Sequence, residues 1–307
     1  MKKKSIITTI LVILGGAALM AGIISCCTNA PNSTATGEHI ATKGDVEWAG
    51  CRSSEYGIDP FPSASKWVSY VNKMSSYYEG SNGALIWIVG TVSEKDWTCR
   101  LNFPGKSSSQ DIHFSDKDEN EAALTAFDKA GFSVWLQVEP GNCDLEELAQ
   151  LVMNRYKSHP CVKGFGVDVE WHKPANTRGY GTKLSDSDAQ KVDEAVKQIN
   201  PNYSVFVKHW DSRWLPKTYR SDMIFVNDSQ QFSSLEQMQE DFQDWANNYA
   251  PNGVMFQIGY EADEWLWGKK TFSNPARDLG AYLIEGLEQN GQKRGIIWVD
   301  FTLTDVL

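Results

Sequence analysis

The sequence predicts a single (β/α)8 barrel that spans residues 45–307. Short runs rich in β-branched and aromatic residues alternate with longer helical patterns, and no second linker or composition break interrupts them. Eight strands with seven intervening helices is the count of a barrel that ends on its last strand. A doubly wound open sheet is the alternative, because alternation alone does not show whether the sheet closes.

The strand and helix patterns set the order of the elements. The predicted strands are residues 45–51, 84–92, 133–140, 162–171, 203–210, 223–228, 253–260 and 294–302. The predicted helices are residues 63–78, 119–131, 144–158, 185–200, 215–221, 234–250 and 275–291. Ser185 and Ser234 are predicted N-caps, Pro275 is placed to open a helix, and Gly131 and Gly291 mark helix ends.

The N-terminal segment predicts export. Residues 1–25 contain three lysines, an apolar run and a small residue before Cys26, which resembles a bacterial lipoprotein signal that leaves Cys26 lipidated. A plain transmembrane anchor is the alternative. Residues 26–44 are small and polar without a hydrophobic period, so we predict a flexible tether. The barrel is therefore expected outside the cytoplasm, held at the membrane by the lipid.

Composition limits the partners of the protein. A net charge of -10 argues against nucleic acid, because affinity for a polyanion rests on lysine and arginine. Twelve tryptophans in an acidic, exported chain favour a carbohydrate ligand, since indole rings stack on sugar rings, although many tryptophans will fill the core. We expect a monomer without a cofactor.

The cysteines do not fit a metal site. Five follow Cys26, at positions 27, 51, 99, 143 and 161, and they form no CxxC or Cys/His cluster. Export allows disulfides, but the sequence does not reveal the connectivity.

Polar residues concentrate at the ends of the predicted strands, where the active site of such a barrel lies. Alternation along the strands predicts that a set of them turns inward together, namely Gln137, Glu139, Asp168, Glu170, Phe206, Lys208, Trp210, Asn227, Gln257, Trp298 and Asp300. His209 is predicted on the outer face. Any single member could belong to a structural ion pair, for example Lys208 with Glu139, but a whole ring of buried charges is costly without a use.

The stretch GFGVDVEW predicts acid catalysis. Asp168 and Glu170 lie two residues apart, so both face the same way along a strand. Two close carboxylates cannot both ionise freely, and one then holds a proton at neutral pH, as a general acid must. Glu170 lies further out and is the predicted acid, with Asp168 as its partner.

The aromatic surroundings favour glycoside hydrolysis, which needs an acid, a counter-carboxylate or substrate nucleophile, and stacking surfaces. The predicted substrate-binding residues are Glu139, Trp171, Lys208, Trp210, Asp228, Gln257, Tyr260, Trp298 and Asp300.

The strand-four DxE of GFGVDVEW, Tyr260 in QIGY and Trp298 in IIWVD resemble the chitinase-like branch of (β/α)8 glycoside hydrolases. The resemblance implies that Glu170 is the acid, Asp168 the assisting aspartate and Trp298 the floor of a subsite. It further implies that an acetamido group of the substrate can act as the nucleophile. The chain departs from the DxxDxDxE motif at Lys163 and Gly166, where the family has aspartates. Tyr260 also falls one strand later than in the family.

Two other functions fit the same residues. One is a carbohydrate-binding lipoprotein with a degenerate barrel site, which holds a glycan without cutting it. The other is a metal-dependent hydrolase using Asp168, His209, Asp228 and Asp300, although five histidines without a His-x-His or HExxH pattern argue against it.

Overall fold

The computed structural model describes residue 41, residues 43–174 and residues 181–307. The predicted signal, Cys26 and nearly all of the predicted tether lie outside the described residues. Within the described part of the chain, none of the helices combines the length and the apolar character needed to cross a bilayer.

Eight parallel strands form a closed barrel, as predicted. The strands in chain order are β1 (Trp48–Ser53), β2 (Asn82–Ser93), β3 (Thr98–Leu101), β4 (Ile112–Phe114), β5 (Ser133–Val138), β6 (Val162–Asp168), β7 (Ser204–Lys208), β8 (Ile224–Asn227), β9 (Val254–Ile258) and β10 (Arg294–Trp298). Strand β1 pairs in parallel with both β2 and β10, which closes the barrel and shows that the open-sheet alternative is wrong. The short β3 and β4 lie outside the barrel, with β3 antiparallel to the end of β2.

The helices pack around the strands. They are α1 (Ala64–Ser75), α2 (Glu121–Ala130), α3 (Leu145–Tyr156), α4 (Asp186–Ile199), α5 (Leu235–Tyr249), α6 (Glu264–Trp267), α7 (Pro275–Glu285) and α8 (Leu303–Val306). The hydroxyl oxygens of Ser185 and Ser234 accept N–H bonds from the first turns of α4 and α5, which confirms both predicted N-caps.

Two helix predictions need correction. Residues 215–221 are not helical, because the Asp186 carboxylate accepts the backbone N–H groups of Thr218 and Tyr219 and fixes the segment at the start of α4. The last long helix, α7, ends at Glu285, six residues before Gly291.

An apolar layer fills the barrel below its carboxyl end. Its members come from seven strands: Trp48, Ala84, Ile86, Trp135, Phe206, Ile224, Val226, Met255 and Ile297. On β6 the inward positions before Asp168 are glycines, and a Cβ on Gly166 would lie 2.1 Å from the Phe206 ring. Gly166 therefore makes room for the Phe206 ring, which closes the barrel directly beneath Asp168 and Lys208.

Candidate active site

A buried ion cluster occupies the carboxyl end of the barrel. The Lys208 ammonium lies 2.9 Å from Asp168 Oδ2 and also contacts Asp228 Oδ2, at the ends of β6, β7 and β8. We call Asp168, Lys208 and Asp228 the mouth cluster. Gln137 on β5 donates to Asp168 at 3.3 Å. One buried ammonium between two carboxylates leaves an excess of negative charge at this end of the barrel.

Several buried polar atoms around the mouth cluster lack a partner. Among the described residues these atoms are Arg52 Nε, Gln137 Oε1, Asp168 Oδ1, Asp228 Oδ1 and Gln257 Nε2. A buried polar group without a hydrogen bond costs free energy, so such atoms are uncommon in a purely structural cluster. Their concentration at the carboxyl end indicates a place where bound water or a polar ligand completes the hydrogen bonding.

Glu170 lies above the mouth cluster. Strand β6 ends at Asp168, shorter than predicted, and Val169–Trp171 form a 3-10 turn that carries Glu170. No hydrogen bond or ion pair joins its carboxyl group to another described residue. Burial, followed by the negative charge of Asp168, raises the pKa of Glu170 to about 8. Burial raises the pKa of Asp168 as well, to about 7, although the charge of Lys208 opposes that shift. Glu170 has the higher pKa of the two and is therefore the acid that holds a proton more readily near neutral pH.

Besides the mouth cluster, the carboxyl end of the barrel holds an ion pair between Arg52 of β1 and Asp300, and the sequence did not predict Arg52. Arg52 donates to Asp300 at 2.7 Å, and both the Ser54 N–H and its hydroxyl donate to the other oxygen of Asp300. The Tyr56 hydroxyl donates to Glu139 at 2.6 Å. Glu139 thus binds a tyrosine and not Lys208, which pairs elsewhere. The predicted first strand ended at residue 51, one position before the arginine, so Arg52 was missed.

Gln257 and Tyr260 complete the polar ring. Gln257 faces inward at the end of β9, and its Oε1 accepts a hydrogen bond of 3.1 Å from the Tyr260 hydroxyl. Both side chains are buried. Burial, and then the charge of Asp228, keeps the pKa of Tyr260 far above its ordinary value, so its hydroxyl is a permanent donor at physiological pH.

Two tryptophans form a wall beside Glu170. Trp171 stacks on Trp97, with ring centroids 6.4 Å apart and planes inclined by 29°. Trp97 adopts φ 59°, an unusual backbone conformation for a bulky residue. Its carbonyl accepts the Asn142 N–H, and a Cβ on Gly141 would lie 2.2 Å from that oxygen. Glycine at position 141 therefore allows this contact. The sequence pattern gave no signal that Trp97 would meet Trp171.

Trp210 does not continue the inward alternation predicted from Phe206 and Lys208. Strand β7 ends at Lys208, and the exposed ring of Trp210 stacks on His209 at 4.1 Å. His209 also stacks on Trp214 at 4.9 Å. Its predicted outward orientation agrees with the structure.

Two further inward predictions are wrong. Asn227 faces the helices, where its amide donates to Asp241 of α5, and the next residue, Asp228, turns into the mouth instead. Trp298 is fully buried outside the barrel, because Ile297 occupies the inward position of β10. Its ring packs on Trp267 at 5.1 Å, so it is not the floor of a subsite.

The structure does not assemble the residues of the metal-site alternative. Asp168 and Asp228 bind Lys208, Asp300 binds Arg52, and His209 lies between two tryptophans. Within the described ranges no group of three histidine, cysteine or acidic residues is placed to hold a metal ion.

Comparison with known proteins gives structural likeness only. No family model matches the sequence, and no curated protein matches it. The solved structures that it resembles include β-glucuronidase 3 of Bacteroides uniformis (12% identity, 65% of this chain, 27% of that chain, TM-score 0.40). Another is a glycoside hydrolase family 5 enzyme of Prevotella bryantii in complex with a xyloglucan tetradecasaccharide (12% identity, 89% of this chain, 95% of that chain, TM-score 0.47). A third is the active domain 2 of a chitinase of Pyrococcus furiosus (9% identity, 88% of this chain, 85% of that chain, TM-score 0.43).

These structures are glycoside hydrolases. This chain spans about a quarter of the length of the β-glucuronidase. At identities of 9–12% and TM-scores of 0.40–0.47 the likenesses assign neither a family nor an activity. The functional argument therefore rests on the site itself.

Proposed function

We propose that the protein is a glycoside hydrolase in which Glu170 is the general acid. The observation that carries the proposal is the position of Glu170: its carboxyl group has no partner among the described residues and lies over a buried cluster with excess negative charge. A carboxyl group kept protonated in this way can donate to a leaving oxygen, and its raised pKa suits work near neutral pH.

The neighbouring residues supply the remaining parts of the reaction. Asp168 raises the proton affinity of Glu170, and its unpaired Oδ1 can stabilise positive charge that develops on the substrate. The Trp97–Trp171 wall offers an indole face next to the acid, where a sugar ring can stack. The nucleophile is a second carboxylate of the mouth or, as the chitinase-like resemblance implies, an acetamido group of the substrate.

The predicted location belongs to the same proposal. A lipid on Cys26 would hold a monomeric barrel outside the cytoplasm, where polysaccharides are available. Mass determination of the N-terminal peptide from the membrane fraction tests this, because diacylation of Cys26 and removal of residues 1–25 change that mass together.

A carbohydrate-binding protein without activity is the second candidate. One observation favours it: Asp168 is held by Lys208 and Gln137, and no hydrogen bond joins it to Glu170 among the described residues. An assisting aspartate that is occupied in this way would leave a site that recognises a glycan but does not cleave it.

The deciding experiment is reducing-end release from a panel of polysaccharides by the full chain and by Glu170→Gln. The amide keeps the shape of the side chain but carries no acidic proton, so we expect a rate loss of about 100-fold or more with binding retained. Release at equal rates by both chains would contradict the role of Glu170. If both chains retain a glycan on affinity gels and release nothing, the binding function is correct.

A further inference from the structure

Two buried cysteines meet behind the Trp97–Trp171 wall. Cys99 lies on β3, and Cys143 lies in the loop between β5 and α3. The Asp111 carbonyl accepts both the Cys99 N–H, at 2.8 Å, and the Cys143 S–H, at 3.0 Å. The two residues therefore converge on a single oxygen atom, and each thiol is the main influence on the pKa of the other.

The other two described cysteines have different surroundings. Cys161 directs its thiol at the Leu124 carbonyl, 3.6 Å away, and Cys51 is buried on β1 near Asp300. Among the described residues neither has a cysteine as a neighbour. Proximity of two thiols is thus a particular property of Cys99 and Cys143, since burial alone is common to all four.

We propose that Cys99 and Cys143 form a disulfide when the protein meets a disulfide oxidant. The thiolate of one cysteine attacks the oxidant's disulfide and releases one oxidant thiol, and a mixed disulfide forms. The second cysteine then attacks the protein sulfur of that mixed disulfide, and the other oxidant thiol leaves. The protein loses two protons and two electrons, and the oxidant becomes two thiols.

The local hydrogen bonds give the two sulfurs different roles. The contact with Cys99 lowers the pKa of Cys143 and raises that of Cys99, so Cys143 is the thiol that attacks first. Both side chains are buried, at 0% and 1% exposure. The disulfide therefore forms during folding, before Trp97 and Trp171 pack together, or when this part of the folded chain opens locally. Once formed, it is shielded from reductants in solution.

The bond would connect two segments that shape the cleft. One is the β2–β3 hairpin, in which Trp97 lies two residues before Cys99. The other is the β5–α3 loop, in which Gly141 and Asn142 directly precede Cys143. These segments already share the contacts of the Trp97 carbonyl. A covalent link would hold the strained Trp97 backbone, and with it the wall, in place.

The test is peptide mapping of the full chain after incubation with oxidised glutathione. The protein is denatured without reductant, alkylated with iodoacetamide and digested. We expect Cys99 and Cys143 to lose alkylation together and to appear in one linked peptide, while Cys51 and Cys161 remain alkylated. Prior reduction should restore alkylation at all four positions. The linked peptide is measured in the unaltered sequence, so the result does not depend on a variant that folds.

The matched variants are Cys143→Ala and Cys161→Ala. The first should return Cys99 to full alkylation or leave it joined to glutathione, and the second should leave the linked peptide unchanged. Three results would overturn the proposal: equal alkylation of all four cysteines at every oxidant concentration, stable glutathione on Cys143 in the unaltered chain, or linkage of Cys99 or Cys143 to a different cysteine. None of these readouts requires glycosidase activity, so the proposal stands or fails independently of the proposed function.

Discussion

Two clusters in this protein place a lysine between two aspartates, and they differ in how completely their oxygens are bonded. In the helix cluster, Lys197 bridges Asp193 and Asp222 on the outside of the barrel, and Tyr219 donates to Asp193. Both oxygens of Asp193 are bonded. In the mouth cluster, Lys208 bridges Asp168 and Asp228, and each aspartate keeps one buried oxygen without a partner.

The difference separates a structural cluster from a functional one. The helix cluster is satisfied and partly exposed, so its charges are screened and nothing is left to bind. The mouth cluster is buried and incomplete, and Glu170 lies close enough for the charge of Asp168 to raise its pKa. An ion triad alone therefore indicates little about function, whereas unpaired buried acceptors around it indicate a place for a ligand.

The largest expected effect is the difference in stability loss between removing Lys208 from the mouth cluster and removing Lys197 from the helix cluster. Lys208→Met leaves two buried carboxylates facing each other, and we expect a loss of about 3–5 kcal/mol in the free energy of unfolding. Lys197→Met should cost no more than about 1 kcal/mol, because its partners are solvated or bonded to Tyr219. Urea unfolding at neutral pH measures both. Equal losses would show that the two clusters do not differ energetically.

A smaller effect is the pH dependence of stability that Glu170 introduces. Its pKa is higher in the folded state, so the folded chain binds more protons between the ordinary pKa and about 8. The free energy of unfolding should therefore fall as pH rises through this range, by about 2 kcal/mol, because partial exposure reduces the full effect. Glu170→Gln should lose the part of the decline nearest pH 8 and keep the part that Asp168 contributes at lower pH, because the pKa of Asp168 is raised only to about 7. Asp222→Asn in the helix cluster should keep the whole decline. Identical curves for the unaltered chain and Glu170→Gln would contradict the raised pKa.

The mouth cluster should also set the pH dependence of the reaction. Asp168→Asn removes the neighbouring negative charge that raises the pKa of Glu170, and it leaves Lys208 less neutralised. Both changes favour ionised Glu170. We expect the alkaline limb of the rate profile to move down by about one pH unit, even if the rate itself falls. Initial rates against pH on the polysaccharide identified in the panel measure this, and Asp222→Asn should leave the limb in place.

The smallest effect compares two tyrosine hydroxyls. Tyr219→Phe removes a donor to Asp193 in the helix cluster and should lower the free energy of unfolding by about 1 kcal/mol without changing the rate. Tyr260→Phe removes a donor to Gln257 in the mouth, with a similar cost in stability and an added loss of glycan affinity. Thermal unfolding and affinity electrophoresis separate the two. An unchanged affinity in Tyr260→Phe would remove that hydroxyl from the proposed binding site.

The sequence by itself determined the barrel and the position of its two acids. The alternation of strand and helix patterns is local, and each pattern is periodic because an amphipathic element must bury one face. GFGVDVEW identified the fourth barrel strand, which is β6 of the structure, and Asp168 and Glu170 both lie at its carboxyl end, although Glu170 sits on a turn and not on the strand. The outward orientation of His209 followed from the same alternation.

Only the tertiary structure decided what the side chains at the strand ends contact. Alternation holds along β8 and β10, but the sequence does not record which residue of a strand starts on the inner face. The true phase is one residue away from the predicted one, so Asp228 lies in the mouth, Asn227 faces the helices and Trp298 lies behind the barrel. The partners of Lys208, the Arg52–Asp300 pair, the Trp97–Trp171 wall and the meeting of Cys99 with Cys143 join segments far apart in the chain. Such contacts depend on how the barrel closes, and no local pattern in the sequence records them.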